Sequence, residues 1–169
     1  MILQHLALSL FAAVMAVAAF EDFRRLTIPN LLPLVLCAAW PLHVAAAPSL
    51  AGALAAVGVA LAVFLGGAVL FARGWLGGGD VKLLAAATLW AGAPRALGLL
   101  VATALLGGVL ALILLHPIVG RIAAAARSRL APLGNPRGCP AAPLPAVPVP
   151  YGVAIAGAGL IVVVSPHLG

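Results

Sequence analysis

Residues 50–82 read LAGALAAVGVALAVFLGGAVLFARGWLGGGDVK, and their reading decides the fold class. The first part, Leu50–Phe71, holds no charged side chain and is rich in alanine, glycine and leucine. It is long enough to cross a bilayer as a helix, which takes about 20 residues. The run ends at Arg73, and a glycine-rich connection leads to Asp80 and Lys82. An uncharged span, a polar break and a lone carboxylate describe a helix that leaves hydrocarbon and a second helix that re-enters it.

The rest of the chain repeats the pattern. Of its 169 residues, 65% are hydrophobic and 7% are charged. A soluble domain carries about 25% charged residues and needs them to cover its surface. Here the bilayer is the fitting solvent, and within it only helices or closed barrels satisfy the backbone. Apolar runs at Ile2–Phe20, Leu31–Ala47, Leu50–Phe71, Asp80 to about Trp90, Ala96–Leu115 and Tyr151–Val164 predict an all-α polytopic fold with about six transmembrane helices. The fourth is short for a crossing. The first lacks the Lys/Arg that opens a secretory signal, so it reads as a retained helix. Small residues such as Gly58, Gly66, Gly67, Gly107 and Gly108 favour close helix approach. One membrane domain spanning 1–169 is expected, with a cytoplasmic loop over 117–150 that is first basic and then proline-rich. The basic part, Ile118–Leu130, reads as an amphipathic helix on the membrane surface.

Nine Lys/Arg stand against three Asp/Glu, a net charge of +6. The basic residues lie singly between spans, which speaks for topology and against nucleic acid. Arg24, Arg25, Arg73, Arg121, Arg127, Arg129 and Arg137 follow spans one, three and five, and Lys82 lies just inside span four. The other loops carry only Arg95. Basic loops stay in the cytoplasm, which predicts N-out and C-out. Cys37 and Cys139 form no C-x-x-C pair, and His43, His116 and His167 have no metal-ligand spacing. No metal or cofactor is called for.

Chemistry then falls to the acidic residues Glu21, Asp22 and Asp80. Carboxylates near hydrocarbon are costly and are usually paired or functional. The topology puts Asp22, at the end of span one, and Asp80, at the start of span four, on the same membrane face. Two carboxylates in contact share a proton, and one can take a proton from water while the other polarises a scissile carbonyl. Gly77, Gly78 and Gly79 before Asp80 allow unusual backbone conformations or close approach of another chain. The competing roles are structural. Asp80 would be a helix N-cap, and Asp22 a salt-bridge partner for Arg25. Lys82 would snorkel to the headgroups, and Glu21 would be a solvated end residue or attract a basic peptide.

At this point the residues resemble a known family. Asp22 with Ile28-Pro29-Asn30 is similar to the first motif of the type IV prepilin peptidases, and Gly77-Gly78-Gly79-Asp80-Val81-Lys82 matches their G-x-G-D-x-K motif. Val149-Pro150-Tyr151-Gly152-Val153-Ala154 resembles their C-terminal P-Y-G segment. The resemblance implies an aspartic endopeptidase of the bacterial inner membrane, with Asp22 and Asp80 catalytic. Its substrates would be prepilins or pseudopilins, cut after glycine to release a basic leader at the cytoplasmic face. Gly77 and Gly79 would be packing glycines, and with them Gly78, Lys82, Pro150, Tyr151 and Gly152 would bind substrate or shape the site. The insert with paired C-x-x-C motifs found in longer relatives is absent, so the chain is similar to the short forms serving Flp-type pili. Cleavage without N-methylation is the expectation. The rivals are a small transporter or proton pathway, which needs polar residues near the midplane beyond Ser9, Thr88 and Thr103, and a structural subunit indifferent to its aspartates.

Overall fold

The computed structural model describes residues 2–46, 48–130 and 149–164. Seven helices follow one another: α1 (Ile2–Arg25), α2 (Leu31–Ala46), α3 (Leu50–Ala72), α4 (Gly78–Ala91), α5 (Ala93–Leu115), α6 (Pro117–Leu130) and α7 (Tyr151–Gly159). A π-helical turn, Leu160–Val164, extends α7. The described residues are all helix and connections, as the apolar runs predict. The proline-rich stretch expected in the long loop lies outside the described residues from 131 to 148, as do Arg137, Cys139 and His167.

Three helices, α1, α3 and α5, are long and apolar enough to cross a membrane, while α2 and the α7 extension are apolar but shorter. α3 shows why lipid is the solvent. Of its 23 residues only Ala56, Ala60 and Gly67 are buried, and Leu50, Leu54, Leu61 and Leu65 all point outward. No water-soluble helix could present such a surface.

The fourth expected span is short as well, and it is the exception in position. α4 has 14 residues, about 21 Å at 1.5 Å per residue and so shorter than the hydrocarbon core. It can be short because protein surrounds it. It packs against α2, α3, α5 and α7, and Val81, Leu83, Ala85, Ala86, Ala87, Thr88, Trp90 and Ala91 are all buried. Its alanines let those neighbours come close. The core around it is built from Phe11 and Met15 of α1, Leu36 of α2, Leu99 of α5 and Ile155 of α7.

Local sequence sets the helix ends. Ser49 caps α3 by accepting the Gly52 N–H at 3.1 Å, which is the usual service of an N-cap serine. Gly92 ends α4 with φ of +71°, a left-handed conformation suited to glycine. Gly92 alone makes this turn, and Pro94 stands in the first turn of α5, so α5 begins earlier than the span expected from Ala96. Arg95 reaches back to the α7 extension, its Nη1 donating to the Val162 carbonyl at 3.4 Å.

At the C-terminal end of α4, Trp90 Nε1 donates to the Leu36 carbonyl at 2.9 Å, close to where Pro41 interrupts the α2 ladder. The indole also meets Phe11 in a tilted arrangement and stacks with His43, each at 5.1 Å between ring centroids. A cavity of about 210 Å³ lies at this end, lined in part by Trp40, Trp90 and Arg95. Trp90→Phe removes the buried hydrogen bond and some volume, and should cost about 1–2 kcal/mol. A lower thermal unfolding midpoint in detergent is the readout, with the chemistry at the other end of α4 intact.

α6 forms where the basic amphipathic segment is expected and packs on α5 and α1. Its Arg121 and Arg129 are exposed, as are Ile118 and Ile122.

Candidate active site

Asp22 lies in the last turn of α1 and is 4% exposed. The two arginines that follow it lie on the neighbouring carboxylate, Glu21, with Arg25 Nε at 3.0 Å and Arg24 Nη2 at 3.8 Å. Arg25, the partner that the structural reading gave Asp22, is engaged with Glu21 at i, i+4, and Arg24 with Glu21 at i, i+3. Asp22 turns inward, and its Oδ2 accepts the backbone N–H of Gly152 at 2.7 Å.

The chain reverses directly after α1. Leu26 adopts φ of +53° and its N–H donates to the Asp22 carbonyl at 2.8 Å, closing the helix in the left-handed manner usually given to glycine. This reversal returns Ile28 to the interior, where it is 8% exposed.

Asp80 is the third residue of α4, and the N-cap is Gly77. The Gly77 N–H donates back to the Asp80 carboxylate, the acidic half of a capping box. The capping role therefore exists, from position N3 and not from the N-cap itself. It occupies only part of the side chain: Asp80 Oδ1 is buried and has no hydrogen-bond partner among the described residues. Asp22 lies within electrostatic reach of Asp80.

The glycines earn their places by space. None of Gly77, Gly78 and Gly79 has a positive φ, and Gly78 and Gly79 are already helical, so the unusual backbone expected of them is not what the fold uses. A Cβ on Gly77 would stand 2.6 Å from Asp80 Oδ2. A Cβ on Gly79 would meet Ile28 Cβ at 3.0 Å and its carbonyl oxygen at 3.2 Å. At Gly78 the neighbour is the Phe71 ring at 3.2 Å. On the other side of Ile28 stands Gly152, whose Cβ would meet Ile28 Cδ1 at 2.8 Å and Asp22 Cβ and Oδ2 at 2.9 Å. The three sequence motifs thus meet at one place: the end of α1, the start of α4 and the start of α7.

The remaining predicted residues hold this junction from outside. Lys82 is exposed, and its Nζ donates to Asn30 Oδ1 at 2.8 Å, tying the first motif to the second. Pro150 is fully buried before α7. Tyr151 turns to α5, where a Cβ on Gly107 would lie 2.8 Å from its Cζ. Gly107 and the bracing role of Asn30 are not legible in the sequence. Gly107 has Gly108 beside it, where an added Cβ would meet nothing within 4 Å, and only the position of Tyr151 distinguishes them.

The transport reading finds little here. Thr88 Oγ1 is committed to the Leu84 carbonyl at 2.8 Å and Ser9 is exposed, leaving Thr103 as an isolated buried hydroxyl in α5.

No curated protein and no solved structure matches the chain significantly. A model of the type IV leader peptidase family matches residues 9–112, a stretch that contains both aspartates, Ile28 and the glycine run but ends before Gly152. More than half of the chain is covered, and with a membrane helix bundle that gathers these residues at one end, the chain belongs to the type IV leader peptidase family.

Proposed function

We propose that the chain is a membrane aspartic endopeptidase that removes the basic leader of Flp-like type IV prepilins or pseudopilins, cutting after glycine. Asp22 and Asp80 form the catalytic pair. The observation that carries this reading is the buried Asp80 Oδ1 without a hydrogen-bond partner among the described residues, at the junction where Gly152 holds Asp22. A buried acceptor left unpaired is costly, and a water or a substrate group supplies the missing partner.

In this mechanism the two carboxylates share one proton and bind the attacking water between them. One carboxylate takes a proton as the water oxygen attacks the scissile carbonyl carbon. The protonated partner donates to the carbonyl oxygen. Collapse of the tetrahedral intermediate breaks the C–N bond: the proton taken from water passes to the leaving amine, and a hydroxyl of the intermediate returns its proton to the carboxylate that donated, which re-forms the carbonyl and restores the one-proton pair. Water is the only co-reactant.

Charge supports a cytoplasmic site. Arg24, Arg25, Arg73 and Lys82 flank the ends of α1, α3 and α4 that surround the aspartates, and basic flanks face the cytoplasm. In this reading α1 to α5 and α7 make six crossings of the bacterial inner membrane, α6 rests on its inner face, and both ends of the chain are outside. The absence of a C-x-x-C insert between α1 and α2 supports the short, Flp-type assignment and cleavage without methylation.

The test is the purified protein in nanodiscs with a Flp-like prepilin, read by mass spectrometry. The expected product has lost its leader after glycine and gains no methyl group when S-adenosylmethionine is added. Failure of well-folded protein to shorten any prepilin or pseudopilin substrate overturns the proposal.

A further inference from the structure

Ile28 fills the ground between the two aspartate-bearing helices. Its backbone and Cβ lie against Gly79, the residue before Asp80, with contacts to the Gly79 Cβ position of 3.0–3.4 Å. Its Cδ1 lies against Gly152, 2.8 Å from a point that is itself 2.9 Å from Asp22 Oδ2. The side chain is 8% exposed. It is β-branched and therefore stiff at χ1, and it is held from behind by the left-handed turn at Leu26 and the Asn30–Lys82 hydrogen bond.

Cleavage by the pair requires the scissile carbonyl within hydrogen-bond reach of the carboxylates or their water. The residue that owns this carbonyl is one bond away, so its side chain must project into the immediate surroundings of Asp22 and Asp80. Ile28 already occupies part of that space. On one side it is backed by Gly79, and on the other Gly152 has no side chain to move aside.

We propose that Ile28 is the specificity-determining residue of the site, and that its side chain restricts the acyl-side residue of the scissile bond to one without a side chain. This rests on the peptidase reading above. Removing carbon atoms from Ile28 should open room beside Asp22 for a methyl group on the substrate. Ile28→Val removes only the atom that touches Gly152 and leaves the Cβ packing against Gly79. Ile28→Ala removes more.

The experiment compares kcat/KM for two prepilins that differ only in glycine or alanine before the cleavage point, using wild type, Ile28→Val and Ile28→Ala in nanodiscs. A methylene in an apolar pocket is worth about 10-fold or more in discrimination. The alanine-to-glycine ratio should therefore rise about 10-fold in Ile28→Ala and about 3-fold in Ile28→Val. If the first variant fails to accumulate, the valine variant carries the test. Variants that lose both substrates in equal proportion, or keep the wild-type ratio, overturn the specificity role and leave the peptidase reading standing. Wild type that cleaves neither prepilin overturns the peptidase reading, and this inference with it.

Discussion

Asparagine in place of Asp22 or of Asp80 is expected to lower leader cleavage by about 10³-fold or more, with no loss of inserted protein. The substitution separates chemistry from folding at both positions. At position 22 an amide oxygen can still accept the Gly152 N–H that holds Asp22 Oδ2 at 2.7 Å. At position 80 it can still accept the Gly77 N–H that closes the first turn of α4. Neither amide can take a proton from water or share one with the remaining carboxylate. Glu21 offers no substitute, because it is engaged with Arg24 and Arg25 on another face of α1, and the chain has no further acidic residue. The measurement is the fraction of co-expressed prepilin that keeps its leader, with the abundance of each variant in the membrane measured alongside. Cleavage that persists in either variant would remove the pair from the mechanism.

The second large effect is expected at Gly152. An alanine there places Cβ within 2.8–2.9 Å of Ile28 Cδ1 and of Asp22 Cβ and Oδ2. Cβ of Asp22 cannot swing away without moving α1, so the substitution separates α1 from α7. It also lengthens the hydrogen bond that orients the carboxylate. A misplacement of about 1 Å costs about 10²-fold in rate, and cleavage should fall by that order. Gly58→Ala and Gly66→Ala are the controls. Both positions lie in α3 with nothing within 4 Å of the added carbon, and activity should be unchanged. Equal activity of Gly152→Ala and the α3 controls would mean that the contact at the end of α7 does not position Asp22.

These two predictions differ in how far the sequence could have anticipated them. Asp22 and Asp80 are conspicuous in a chain with three acidic residues. Gly152 is marked among 19 glycines only by the resemblance of its segment to a family motif, and its weight comes from a hydrogen bond spanning 130 positions. The same division runs through the glycine run. The sequence marks Gly77–Gly79 as special and offers two reasons, backbone freedom and close approach of another chain, of which the fold uses the second. What matters is that Ile28, about fifty residues earlier, lies against Gly79 with its backbone as well as its side chain. The choice between two carboxylates for Arg25 is of the same kind: helix spacing offers both Glu21 and Asp22, and the fold seats Arg25 on Glu21 while Asp22 accepts the Gly152 N–H.

The stretch from Leu50 to Lys82 by itself determined the solvent, the helical class and the carboxylate at the helix entrance. Those properties follow from local composition, since a charge-free run of that length has no stable place in water and an unpaired backbone has none in lipid. Tertiary structure alone decided that the short α4 stands surrounded by its neighbours, that Asp22 is held by the start of α7, that Tyr151 selects Gly107 over Gly108, and that Ile28 fills the space between the aspartate-bearing helices. These are contacts between residues far apart in the chain. They depend on how helix faces interlock, and no local pattern carries that information.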